Sequence, residues 1–123
     1  MEHLDYESFK NKIFDPEKES TQRFYIGKEP CIVDFYTKWC TPCKEVDKYL
    51  QKISEETSRK VKIYKIDCEK EKEIAEKLKI SSFPHLLFLK SNQLPKSLIG
   101  LYPNKYIQEI VEKELLNKGE IYI

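Results

Sequence analysis

The chain has 123 residues, 40% of them apolar and 12% aromatic, enough for one packed core, so residues 1–123 are read as a single domain. Its 22 Lys and Arg balance 21 Asp and Glu with the signs interspersed, and the net charge of +1 leaves no electrostatic footprint for nucleic acid. No apolar run approaches a membrane span, the start Met1-Glu2-His3-Leu4-Asp5 lacks the basic and apolar stretches of a secretory signal, and four cysteines are too few for a disulfide-built scaffold.

Tyr6, Phe9 and Ile13 recur at near-helical spacing, which predicts a short helix over 5–14, ended by Asp15-Pro16 and a charged stretch to Gln22. Residues 23–26 read as a brief edge strand closed by Gly27 and Pro30. The run Cys31-Ile32-Val33-Asp34-Phe35-Tyr36 then reads as a buried strand whose one charge is Asp34. After Trp39-Cys40-Thr41-Pro42-Cys43-Lys44, the residues Cys43, Val46, Tyr49, Leu50 and Ile53 mark the apolar face of a helix reaching about Ser58, with Pro42 suited to its first turn.

Val61 to Asp67 predicts a strand, Glu71 to Lys79 a helix burying Ile74, Ala75 and Leu78, and Leu86 to Lys90 a strand after Pro84. A short strand from Lys96 to Gly100 follows a polar turn. Pro103 and Asn104 open a last helix with Ile107, Ile110, Val111 and Leu115 inward, and Gly119 is placed to end it. The tail Glu120-Ile121-Tyr122-Ile123 alternates apolar and polar residues and receives no assignment. Strands separated by helices imply parallel pairing, while the brief connection between the last two strands allows only a hairpin. The expected fold class is α/β, a mixed central sheet with helices on both faces.

Two residues separate Cys40 from Cys43, so one helical turn brings the sulfurs within reach of a disulfide that closes without unfolding. Cys40 falls at the helix start, where unpaired backbone N–H groups and the dipole stabilise a thiolate, and reads as the attacking sulfur. Cys43 shares the apolar stripe with Val46 and Leu50, where burial keeps a thiol protonated, and reads as the resolving sulfur. Two competing readings are inert buried thiols and a zinc site. Zinc needs four ligands, yet Cys31 and Cys68 stand singly in strands and His3 and His85 have no partner at ligand spacing, so no metal is expected. Cys31 and Cys68 themselves read as inert buried thiols. His85 reads as a surface residue opening a strand, and Trp39 as an aromatic shielding the sulfurs. A carboxylate inside an apolar strand is costly unless it has a partner or stays protonated, which singles out Asp34.

From about Tyr6 to Leu116 the sequence resembles the thioredoxin family, within it most nearly the Bacteroidetes-type members. The segments carrying the likeness are Pro30 to Tyr36 with Trp39-Cys40, then Lys65-Ile66-Asp67, Ile80-Ser81-Ser82-Phe83-Pro84, and Gly100. The resemblance implies a thioredoxin fold and a protein-disulfide reductase in which Cys40 forms a mixed disulfide with substrate and Cys43 releases it. It implies that Asp34 moves a proton to and from the buried sulfur with Lys65 as its partner, and that Pro84 is a cis-proline packed against the cysteines. It implies further that the backbone of Phe83 pairs with an extended substrate segment, on a surface that includes Trp39, Thr41, Pro42 and Gly100. The partners implied are disulfide-containing proteins and a thioredoxin reductase or equivalent donor, with no cofactor beyond the Cys40–Cys43 disulfide, and a monomer is expected.

This chain departs from the family's usual residues in having Thr41 for Gly, Phe83 for Ile, Val or Thr, His85 for Thr, and Tyr36 for Trp. Pro42 stands where oxidising members of the superfamily carry His, which favours a reducing potential. A cytoplasmic address is expected, or a periplasmic one if a leader has been removed. The rival functions are an exported oxidase or isomerase of the same fold, and a binding module in which the disulfide serves only structure.

Overall fold

The computed structural model describes residues 1–116, so Gly119 and the tail Glu120 to Ile123 lie outside the described residues. Five strands form one sheet: β1 (Glu2–His3), β2 (Cys31–Tyr36), β3 (Lys62–Asp67), β4 (His85–Leu89) and β5 (Lys96–Ile99), in the order β1-β3-β2-β4-β5. β3 runs parallel to both β1 and β2, while β4 is antiparallel to β2 and to β5. The mixed sheet and the terminal hairpin are therefore as expected. Among the described residues four α-helices flank it: α1 (Tyr6–Lys12), α2 (Thr41–Glu56), α3 (Lys72–Lys77) and α4 (Asn104–Ile110), the last running on into a π-helical turn over Val111–Leu115.

Local chemistry explains where these elements begin and end. Asp5 caps α1, its carboxylate accepting the Ser8 N–H at 2.9 Å while the Ser8 hydroxyl accepts the Asp5 N–H, a reciprocal capping box. α2 stops where Ser58 and Arg59 turn left-handed, at φ 52° and 61°, and Lys79 does the same just beyond α3, at φ 57°. Strand alternation sends side chains to two apolar layers. Phe9, Val33, Phe35, Ile66, Ile74 and Leu87 pack on the α1 and α3 side, and Ile32, Val46, Leu50, Ile63, Leu86 and Ile107 on the α2 and α4 side. Each fully buried aliphatic side chain contributes roughly 1.5–3 kcal/mol relative to exposure.

Residues 23–26 do not form the expected edge strand. Tyr25 donates its N–H to the Gln93 carbonyl and accepts from Asn92, whereas Ile26 donates to Ile13, so consecutive residues reach different partners and no ladder forms. The edge is taken instead by Glu2–His3, registered on Tyr64 and Lys65 of β3. Among the described residues no helix is long and apolar enough to cross a membrane.

Candidate active site

β2 runs into a turn at Thr37, whose carbonyl accepts the Cys40 N–H at 3.3 Å, and the chain then enters α2 with Cys40 as N-cap and Pro42 in the first turn. The placement follows from sequence, since Pro42 lacks the N–H that a first-turn residue would leave unpaired anyway. Cys40 and Cys43 are joined in a disulfide with a Cα–Cα separation of 5.3 Å, and the Cys43 backbone N–H points at the Cys40 sulfur, 3.2 Å away. In this oxidised state both are buried, 6% and 4% exposed, so shielding differs far less between them than the sequence led us to expect. The asymmetry lies in the helix start, whose N–H serves the Cys40 sulfur alone. Thr41 and Pro42 are exposed beside them.

Alternation on β2 puts Asp34 on the same sheet face as Ile32, under α2. It is fully buried, and neither carboxylate oxygen has a hydrogen-bond partner. Burial raises its pKa to about 7, against an opposing pull from Lys65 and a further push from Asp47. Of the two solutions open to a carboxyl in an apolar strand, a hydrogen-bond partner is not provided, and burial favours the protonated form.

Lys65 lies beside Asp34 in strand register, but its ammonium does not bond it. It pairs with Asp47 of α2 instead and sits 4.5 Å from the centre of the Tyr36 ring. The Tyr36 hydroxyl in turn meets His3 Nε2 at 3.0 Å. Asp47 is the residue that sequence reasoning overlooked here, and Tyr36, noted in the sequence only as a departure from the family's Trp, is half-buried beside the Lys65 ammonium. An acid one turn beyond Cys43 on the helix covering β3 was the available signal for Asp47.

The Phe83–Pro84 peptide is cis, and the Pro84 carbonyl accepts the Gly100 N–H at 2.8 Å, which joins the two loops. Gly100 has φ +101°, a conformation that suits glycine. Trp39 is 69% exposed and shares with Thr37, Cys68, Ala75, Ile80 and Phe83 the wall of an open groove of about 540 Å³. The Thr37 hydroxyl on that wall is buried and unbonded. Trp39 and Phe83 are thus brought together on the groove, whereas Thr41, Pro42, Pro84 and Gly100 do not line it.

His85 is buried, not a surface residue. It bonds the Ser97 hydroxyl across the hairpin at 3.1 Å and meets Phe35 edge-on at 6.0 Å, on the sheet face away from Asp34. Burial pushes its pKa below the ordinary imidazole value, which favours the neutral ring. Among the described residues no cluster of three His, Cys, Asp or Glu could hold a metal ion.

Cys31 and Cys68 are buried and free, and burial pushes each thiol up to about 12. Iodoacetamide at pH 8 is therefore expected to leave both unlabelled in the reduced native protein and to modify them once urea unfolds it. Rapid native labelling of either, read by peptide mass mapping, would contradict this assignment.

The thioredoxin family model matches residues 3–113. The thioredoxin of Borreliella burgdorferi is 31% identical over 109 residues, covering 89% of this chain and 92% of that protein. The thioredoxin of Bacillus subtilis is 37% identical over 84 residues, 68% of this chain and 81% of its own length. Among solved structures, that of chloroplastic thioredoxin z superposes with a TM-score of 0.73 at 24% identity, covering 92% of both chains, which supports the fold. A family match spanning both sheet faces and a paired Cys40 and Cys43 at the head of α2 lead to one conclusion: this chain belongs to the thioredoxin family of thiol-disulfide oxidoreductases.

Proposed function

We propose that the protein works in the reducing direction on protein disulfides, and that the Cys40–Cys43 pair at the start of α2 is the observation that carries this reading. In the dithiol form Cys40 is the thiolate, stabilised by the Cys43 N–H and the helix N-terminus. It attacks a substrate disulfide, forming a mixed disulfide and releasing one substrate thiolate, which takes a proton from solvent. Asp34 accepts the Cys43 proton. The Cys43 thiolate then attacks the Cys40 sulfur, the Cys40–Cys43 bond forms, and the second substrate thiolate departs with a proton. Two electrons have passed to the substrate, and a dithiol donor such as a thioredoxin reductase restores the pair.

Asp34 suits this role because a base poised near pH 7 is ionised for part of the time yet still basic enough to draw on a thiol. The groove between Trp39 and Phe83 is the surface assigned to the substrate chain, with the backbone at Phe83 beside the cis-Pro84 as its extended-strand partner; Thr41, Pro42 and Gly100 lie outside the groove and are assigned to the substrate surface by the family resemblance alone. Pro42 adds no positive charge beside the sulfurs, which favours a reducing over an oxidising potential. The working form is taken as a cytoplasmic monomer.

Catalysis of insulin reduction by dithiothreitol, with substoichiometric protein, tests the activity, and equilibration with glutathione tests its direction. Rapid insulin precipitation and a potential near the reducing end are expected. A potential like that of disulfide isomerases would point to the oxidase reading, and absence of catalysis to a structural disulfide in a binding module.

A further inference from the structure

Asp34 has a cation next to it in register and does not use it. Lys65 is its direct neighbour across the β2–β3 pair, both on the face covered by α2, yet the Lys65 ammonium is bonded to Asp47. Asp47 is itself held: its second carboxylate oxygen accepts from the Gln51 amide at 3.1 Å, one helical turn further on. The Tyr36 ring supplies the other side of the ammonium's seat, 4.5 Å from ring centre to nitrogen, and the Tyr36 hydroxyl is anchored to His3. The Lys65 side chain is 14% exposed and that of Asp47 26%, so the pair stands at the edge of the protein with Asp34 sealed behind it.

We propose that Asp47 is a positioning residue for the resolving step: by holding the Lys65 ammonium at the α2 surface it leaves the Asp34 carboxyl without a counter-ion and thereby able to carry the Cys43 proton. This rests on the reading of Asp34 as the proton acceptor. Two effects of Asp47 act in the same direction. It draws away the cation that, among the described residues, would hold Asp34 ionised, and its own negative charge disfavours a second one nearby. The charges acting on Asp34 come from Lys65 on β3 and Asp47 on α2, its β4 partner is the uncharged Leu86, and Tyr36 follows it on the same face of β2. Without Asp47, Lys65 is free to turn onto Asp34, which would then stay ionised and be a weaker base.

The test follows the resolving step alone. Reduced protein is mixed with dithiobisnitrobenzoate. Attack by Cys40 releases one coloured thiolate, and attack by Cys43 on the resulting mixed disulfide releases the second. The rate of the second phase is measured against pH for the native protein and for Asp47→Asn, Lys65→Gln, the double variant and Asp34→Asn. For Asp47→Asn the acid limb is expected to move down by about one pH unit, as an opposite charge brought beside a carboxyl commonly does. In the Lys65→Gln background the same substitution should shift it by less than half as much, because no ammonium is left to be released. An unmoved limb in Asp47→Asn would overturn the proposal, and so would an equal shift in both backgrounds, since Asp47 would then act only as a distant charge. Asp34→Asn separates this from the underlying reading: loss of the limb upholds Asp34 as the acceptor, and its persistence overturns that reading and the Asp47 role with it.

Discussion

Replacing Cys40 by serine is expected to return insulin reduction to the rate of dithiothreitol alone, whereas Cys43→Ser should stop after a single event, with one substrate chain held on Cys40. The difference follows from position within α2. Cys40 is the N-cap, and its sulfur receives the Cys43 N–H, so in the dithiol form a negative charge there is met by the open end of the helix. A serine hydroxyl at that position offers no comparable nucleophile at neutral pH. Cys43 lies one turn further in, on the stripe with Val46, Leu50 and Ile53, and lacks the helix-start N–H that would stabilise a thiolate on Cys40. Its task is intramolecular, and the 5.3 Å between the two Cα atoms lets it be done without moving the backbone. Non-reducing electrophoresis of Cys43→Ser with a disulfide protein reads the trapped adduct directly. Equal trapping by Cys40→Ser would remove the distinction between the two sulfurs, and trapping by Cys40→Ser alone would reverse their roles.

The second large effect concerns Asp34 and stability. Its carboxyl is raised from 3.8 to about 7 by burial, so between about pH 4 and pH 7 the folded protein holds a proton that the unfolded chain has given up. The unfolded state then binds fewer protons, and stability falls as pH rises through that window. The deficit is complete above pH 7, where it amounts to roughly 4 kcal/mol at most. Urea midpoints of the oxidised protein should therefore decline from pH 5 to pH 8. Asp34→Asn should flatten the profile and be the more stable of the two at pH 8, by somewhat less than the full deficit because the buried amide also lacks partners. The same variant should slow the resolving step by about tenfold or more at neutral pH, within what a lost general base commonly costs. A wild-type stability that rises over this range would show that Asp34 is ionised and paired in solution.

These two effects explain why some of the molecule was readable in advance. The bounds of β2 were plain because six consecutive residues carry no turn former and a single charge, and that charge marked a site of chemical interest by its cost. The motif and the period of α2 placed both sulfurs on one turn. What could not be read depended on contacts between elements far apart in sequence. Lys65 faces Asp34 in register, yet which acid its flexible stem reaches is decided by how α2 lies over β3, and no spacing within either segment carries that information. His85 is drawn into the interior by Ser97 across a hairpin and by Phe35 on the next strand. The edge strand went to Glu2–His3 because β3 offered a free parallel edge there, while residues 23–26 are spent linking the end of α1 to the β4–β5 turn.

The order in which iodoacetamide modifies the two thiols of the freshly reduced protein at pH 7 bears most directly on the unequal roles of Cys40 and Cys43. Peptide mapping after brief exposure should find the label on Cys40 while Cys43 is still free. Equal labelling, or Cys43 modified first, would contradict the assignment of the attacking sulfur to the head of α2.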